Sequence, residues 1–539
     1  VALVVAVFLL APARMQAAAP QQRVKDNDRN STRATFVALM AERLLQFQLA
    51  DGAMAYHAPK PGAALRVVPY FSNLAALGWV EAARLMPSNP RREAWLAATR
   101  RWMSWYAGHL NRDGSIDDYR GPVDGLKATG SYDSTDSYAA TFGLLAWRYL
   151  ELTGDLATIR TLAPALKQAH AAIELTRDID GLTYATPLYG FKYLMDNCEV
   201  AIGLAAMQRL FQALGEPREV DACAAQIEQL RHAFASFYCT KMSVFGYALD
   251  AYPLPLCGFK EPYPDAMANL MVLTWLSSGD AQSSALFDRL WQEFWLKNPD
   301  SRGFPLWWTW AAQVCGRGAA RAQAMAVLQQ MTEKQDTDCV LIGMAAVATA
   351  TGVDALRFPE LRLNWDQLTV RKPLTDLGGG TQWPRGTRAV LTGHKLNSPL
   401  AHNGNWNRPW SGKYELPYEF TANEAYAQLN LVFPGVADLR KCRAILVDVG
   451  NASKDNVPRG LELTLVEADG DWWITSASEA MRTAGKSLVA LSDLKLSKWS
   501  KSGDGKLDMS RMVGLRLTLV SEGKAGAGVL SIRELGIVN

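Results

Sequence analysis

Histidine and cysteine are scarce in this chain, at six and seven in 539 residues. No two cysteines form a CxxC pair, which excludes zinc knuckles. Cysteine is also too sparse for a disulfide scaffold. Neither charge sign dominates: 56 Lys and Arg stand against 53 Asp and Glu, a net charge of +3. That balance excludes a nucleic-acid binder built on a basic surface and a protein with an acidic tail. A Walker loop, HExxH, GxSxG and a dinucleotide fingerprint are all absent. No cofactor and no metal are expected. Long apolar runs are missing too; the apolar stretch 1–11 is too short to cross a bilayer. With the Ala-rich residues 15–19 behind it, that stretch reads as a secretory signal over 1–19, then a polar linker over 20–31. The chain is expected to be secreted or periplasmic, off the membrane after signal removal, and monomeric. Cys239 and Cys257 are one candidate disulfide; small buried hydrophobes are an equally good reading of the cysteines.

What is present is apolar and aromatic. Hydrophobic residues make up 49%, with 18 Trp, 17 Tyr and 17 Phe, enough for a sizeable core. From residue 32 to 355 apolar residues recur at three- and four-residue spacing, the helical period. Two kinds of segment alternate. Residues 33–49, 91–110, 156–175, 218–237, 281–295 and 320–333 are amphipathic and charged. Residues 69–85, 136–152, 197–214, 265–278, 304–314 and 337–350 are small, apolar and nearly uncharged. A helix apolar all round is buried and one with a polar face is peripheral. The order is outer then inner, six times. Asp51-Gly52, Asp113-Gly114 and Asp180-Gly181 each follow an outer segment, where glycine suits a left-handed turn. Six hairpins with buried inner helices suit a closed (α/α)6 toroid; an open solenoid is the alternative. Residues 356–539 alternate in the strand period, as in Leu461-Glu462-Leu463-Thr464-Leu465, and read as a β-sandwich.

Three stretches inside the hairpins are Pro69-Tyr70-Phe71-Ser72-Asn73-Leu74, Tyr132-Asp133-Ser134-Thr135-Asp136-Ser137-Tyr138 and Tyr193-Leu194-Met195-Asp196-Asn197-Cys198-Glu199. With the hairpin count, they make residues 40–350 resemble the six-hairpin glycosidase superfamily. The superfamily also holds polysaccharide lyases, epimerases and non-hydrolytic members. The C-terminal region resembles galactose-binding-like jelly rolls, the fold of many carbohydrate-binding modules. The residues that carry this are Glu467-Ala468-Asp469-Gly470-Asp471-Trp472-Trp473, Leu507-Asp508-Met509-Ser510 and Leu530-Ser531-Ile532-Arg533-Glu534-Leu535. Arg533-Glu534 stands where many relatives carry an Asp-Asp pair.

In a toroid the starts of the inner helices meet at one mouth. Polar residues gather at those starts: Asp133 and Asp136, Asp196 and Glu199, Asp265, Asp336 and Asp338. Each Asp has a simpler reading as a helix N-cap. Glu199 sits on an otherwise apolar helix, so its carboxylate must face the cleft or find a buried partner. Glycoside hydrolysis needs two carboxylates with separated pKa values, about 6.5–9.5 Å apart for inversion. Neighbouring helix axes lie about 8–10 Å apart. The expected pair is Glu199 as acid and Asp136 as base, or the reverse. Asp133, Asp196, Asp265, Tyr70, Asn73, Tyr132, Tyr193 and Trp307 are expected to contact sugar. Trp308 and Trp310 are expected in the core. The expected activity is inverting hydrolysis of a polysaccharide or oligosaccharide. A lyase using His57, Asn73 and Tyr70 on a uronate is the enzymatic alternative, and a non-catalytic carbohydrate binder the other. Trp406 and Trp410 are expected as an exposed sugar platform, with Trp473 packed in the sandwich.

Overall fold

Twelve helices alternate between an outer and an inner layer among the described residues of the computed structural model. Those residues are 26–298, 303–334, 337–369, 376–379, 382–394, 396–398, 407–420, 425–453, 460–475, 485–498, 500, 503–520 and 526–538. The stretch 1–19 read as a signal, Asp336 and Trp406 fall outside them. The outer helices are α1 Asp26–Leu45, α3 Arg92–Gly108, α5 Leu156–Thr176, α7 Pro217–Ala233, α9 Ala281–Leu290 and α11 Gly318–Thr332. The inner ones are α2 Pro69–Leu85, α4 Thr135–Thr153, α6 Leu194–Leu214, α8 Met267–Trp275, α10 Pro305–Val314 and α12 Cys339–Ala350. Helix α1 starts inside the stretch read as linker.

Inner helices touch in order from α2 to α12, and α12 packs back on α2. The ring is closed, so the helical body is an (α/α)6 toroid and not an open solenoid. Small residues permit the tightest crossings. A Cβ at Gly78 of α2 would lie 2.7 Å from the backbone of Gly343 in α12. The three Asp-Gly turns are built alike: Gly52, Gly114 and Gly181 hold φ of 101°, 82° and 90°. In each, the Asp carboxylate accepts a backbone N–H two residues on, at 3.0–3.1 Å. Cys239 and Cys257 form a disulfide, and Cys198, Cys223, Cys315, Cys339 and Cys442 are buried thiols.

The helical core continues past residue 355. Leu356, Phe358, Leu361, Leu363 and Leu368 all pack in it. Beyond them, an eight-stranded and a five-stranded sheet share a second core. The larger sheet runs in the order Asn407–Pro409, Arg388–His394, Tyr426–Asp438, Met512–Val520, Gly460–Glu467, Trp472–Ile474, Lys495–Leu496, with Asp376–Gly379 beside Tyr426–Asp438. Strand Tyr414–Phe420 of the smaller sheet alternates buried and more exposed residues, as a sheet with one covered face requires. Strand Met512–Val520 is buried on both faces, because its outer face meets the toroid. There Arg516 donates to Asn430 at 2.7 Å and to Asp250 at 3.2 Å. Gly514 leaves room for the Tyr252 ring.

A second contact between the two bodies is ionic and buried. Asp178, just after α5, accepts from Lys192 at 2.6 Å, Arg388 at 2.5 Å and Asn407 at 2.6 Å. Lys192 also donates to Asp180 at 2.6 Å. Burial opposes ionisation of Asp178, but Lys192 and Arg388 outweigh it and hold the carboxyl below the usual range.

Candidate active site

A cavity of about 540 Å³ opens at the end of the toroid where all six inner helices start. Its wall takes Tyr70, Phe71 and Leu74 from α2, Ser137 and Tyr138 from α4, and Met195, Asp196 and Glu199 from α6. It takes Met267 and Met271 from α8, Leu306 and Trp307 from α10, and Val340, Leu341 and Met344 from α12. Asp133 and Tyr132, on the loop into α4, stand at the rim with Tyr263 and Phe304.

Among the described residues, five carboxyl groups line the cavity: Asp118, Asp133, Asp196, Glu199 and Glu261. One cation does, Arg66, and it donates to Asp118 at 3.0 Å. Tyr138 holds the other Asp118 oxygen at 3.0 Å. Asp118 and Glu261 lie in loops without a periodic signal, and only tertiary contact brings them to the wall.

Glu199 is 2% exposed, and Tyr70 Oη donates to its Oε1. Burial pushes the carboxyl up to about 8, against the opposing pull of the Tyr70 hydrogen bond. Glu199 is therefore protonated at neutral pH. Asp196 is raised well above the carboxylate range, first by burial and then by repulsion from Asp136, Glu199 and Asp133. Asp133 is raised as well by lost solvation, yet remains exposed at the mouth.

Glu199, Asp133, Asp196, Tyr70, Tyr132 and Trp307 all line the cavity. The structure sets four other expected residues behind the cavity wall. Asp136 is fully buried and accepts from Ser134 at 2.5 Å, Thr183 at 2.5 Å and the Ser137 N–H at 2.8 Å. Its position is that of a tie between α4 and the loop ahead of α6, and burial raises it only to about 6. Asn73 bridges Tyr138, Thr141 and Trp102 at 3.0–3.2 Å. Asp265 accepts the Lys260 and Glu261 N–H groups at 2.9 and 3.1 Å, closing the turn before α8. Tyr193 bonds Tyr189 at 3.2 Å. Asp338 caps α12 through the Leu341 N–H at 2.7 Å. Trp308 and Trp310 are buried in the helical core.

The Tyr70 hydrogen bond has a measurable signature. Its loss removes a group that favours ionised Glu199. Tyr70→Phe is expected to raise the Glu199 pKa by about one unit, since a hydrogen bond to a charged group contributes roughly 1.5 kcal/mol or more. A pH–rate profile of the variant checks this: its alkaline limb lies above that of the parent.

The sandwich offers less. Trp410 is half-buried against the sandwich core, and neighbouring Asn407 is pinned to Asp178 of the toroid. Trp472 lies under the Arg516 guanidinium at 4.6 Å, and Trp473 packs partly on the core. Among the described residues, one acidic trio has metal-ligand spacing: Glu467, Asp469 and Asp471, with oxygens within 4.8 Å. It belongs to the sandwich and does not line the cavity.

No family model matches the chain, and no curated protein does. Similar solved structures include a rhamnosidase from Klebsiella oxytoca with rhamnose bound, at 15% identity and a TM-score of 0.42. That likeness covers 60% of this chain and 64% of the rhamnosidase, less than two thirds of its length. A mannosylglycerate hydrolase from Thermus thermophilus in complex with glucose is 12% identical, with a TM-score of 0.40 over 59% of this chain and 99% of that one. A novel alpha-amylase from Clostridium perfringens is 8% identical, with a TM-score of 0.42 over 59% and 98% of the two chains.

Proposed function

We propose that this chain is a secreted glycoside hydrolase that cleaves a polysaccharide or oligosaccharide with inversion. One observation carries the reading: a buried carboxylic acid, Glu199, is kept protonated to about pH 8 on the wall of a cavity that a second, solvent-open carboxylate, Asp133, also lines. Glycosidic cleavage requires two carboxyl groups, one acting as acid and one as base, and both line this cavity. Glu199 donates its proton to the departing glycosidic oxygen. Asp133, reached by water at the mouth, deprotonates the attacking water. Tyr70 orients Glu199, and Asp196 hydrogen-bonds sugar hydroxyls. Asp136 positions the start of α4 and does not touch substrate. The Cys239–Cys257 disulfide fits an oxidising compartment.

Of the three groups named for the lyase alternative, Tyr70 alone lines the cavity. His57 is exposed and off the cavity wall, and Asn73 is occupied by its hydrogen bonds. Arg66, the one cation among the described residues lining the cavity, is already paired with Asp118, which disfavours a uronate. The docked sheet favours a buttress over a free sugar platform.

The reading is tested by incubating the purified protein with a panel of oligosaccharides and following products by proton NMR. Inverted reducing ends are expected. Asp133→Asn is expected to lower turnover by about 10²–10⁴-fold, the usual contribution of a general base. Equal turnover in the Asp133→Asn protein removes Asp133 from the mechanism.

A further inference from the structure

The cavity is two-faced, and the division follows the helices. Glu199 and Asp196 come from α6, Ser137 from α4, and Asp133 from the loop ahead of α4. Ser137 Oγ is buried on this wall beside Glu199, whose ionised form it favours by hydrogen bonding. The opposite half is built by α8, α10 and α12. Those helices line it with Met267, Met271, Leu306, Trp307, Val340, Leu341 and Met344, and the segments outside them add Glu261, Tyr263 and Asn298.

Depth sharpens the contrast. The inner helices start together at the mouth, so a residue further along its helix lies deeper. Leu74, Glu199 and Met344 are each the sixth residue of their helices, and Met271 is the fifth of α8. At 1.5 Å per residue, Leu74, Glu199 and Met344 lie about 8 Å past their helix starts, and Met271, whose helix continues the π-helical turn Pro262–Ala266, lies at least as far in. The floor is therefore two methionines, a leucine and the catalytic acid. Met271 and Met344 are 2% exposed and Leu74 5% exposed. Among the described residues that line the cavity at that depth on α2, α8 and α12, no side chain carries a hydroxyl, an amide or a charge.

A sugar ring bound with its glycosidic oxygen at Glu199 must set some of its periphery against this floor. A hexose hydroxyl placed there loses water and gains no partner. A methyl or alkyl group placed there is buried against soft, adaptable thioethers. We propose that the substrate is an amphipathic glycoside, with an apolar group seated on the Leu74–Met271–Met344 floor and its hydroxyls on the α4–α6 wall. This rests on the glycosidase reading and names its substrate class. The apolar group has two chemical sources: the methyl of a 6-deoxyhexose, or an alkyl aglycone.

The test is binding to the full-length Glu199→Gln protein, which does not turn substrate over, read by tryptophan fluorescence with Trp307 on the cavity wall. One arm compares three sugar pairs of matched configuration that differ by one hydroxyl: D-quinovose with D-glucose, L-fucose with L-galactose, and L-rhamnose with L-mannose. The other arm compares octyl with methyl glycosides of the same hexoses. At least one 6-deoxy sugar, or one octyl glycoside, is expected to bind about 10–100-fold tighter than its partner, the discrimination an apolar pocket achieves against an added hydroxyl. Preference in the first arm assigns the floor to a sugar methyl; preference in the second assigns it to the aglycone. Parent hexoses or methyl glycosides that bind as tightly as their apolar partners overturn the proposal and leave the glycosidase reading standing. Failure of that reading shows separately, as no hydrolysis by the unmutated protein on the oligosaccharide panel or on these octyl and methyl glycosides. Met344→Gln and Met271→Gln provide a second check on location. Either one that folds is expected to erase the preference, and a folded variant that keeps it contradicts the assignment of the floor.

Discussion

Glu199→Gln is expected to lower turnover by about 10²–10⁴-fold and, at the same time, to make the protein more stable at pH 8. The first effect is the usual contribution of a general acid. The second follows from linkage. Glu199 holds its proton to about pH 8 in the folded chain, whereas an unfolded glutamate loses it near pH 4.3. The folded state thus binds more protons than the unfolded one across that window. Its stability falls as pH rises from about 4.3 to about 8, by up to 1.36 kcal/mol per unit from this group. Glutamine has nothing to ionise and escapes that loss. Melting curves at pH 5 and pH 8 check it: the variant gains over the parent at pH 8 and little at pH 5. A catalytic loss with no pH-dependent gain in stability places Glu199 in a solvated site instead.

Asp178→Asn is expected to cost about 3–5 kcal/mol, because it removes one partner from a buried ionic cluster and leaves Lys192 and Arg388 short of negative charge. Asp178 is fully buried at the side chain and Lys192 is 3% exposed there, so water cannot make up the loss. The pH sign is opposite to that of Glu199. The folded Asp178 carboxyl sits below the usual range, so its contribution is present above about pH 4 and is lost as pH falls through the folded value. Urea unfolding at pH 7 measures the effect. A change under 1 kcal/mol means the two bodies are held together elsewhere.

Much of the toroid is legible in the sequence. The inner helices are recognisable because they are apolar all round, and α2 runs over Pro69–Leu85, the span its periodicity indicates. Glu199 stands out for the same reason: a lone carboxylate on such a helix needs an explanation. The carboxylate we propose as its partner, Asp133, is not legible. Asp133 and Asp136 lie three residues apart at the start of α4, and local pattern treats them alike. Thr183 separates them. It lies 47 residues downstream of Asp136 and takes one of that residue's oxygens into the core, which leaves Asp133 at the mouth. Asp118 is hidden for a similar reason, since Arg66 and Tyr138 place it. The apolar floor is equally invisible in one dimension. Met271 and Met344 look like core residues on core helices, and only closure of the ring gives them an empty space to face. In the sandwich, alternation marks the strands but does not say which outer face is covered. Arg516 and Asn407, polar residues on strands of the larger sheet, both bind the toroid.

The central claim is that Glu199 is the protonated acid of the cavity. Carbon-13 NMR of the protein labelled at its glutamate carboxyls, with Glu199→Gln supplying the assignment by difference, measures this without a known substrate. The account predicts one carboxyl that titrates near pH 8 and vanishes in the variant. A Glu199 signal that titrates in the ordinary range near pH 4.3 would contradict it.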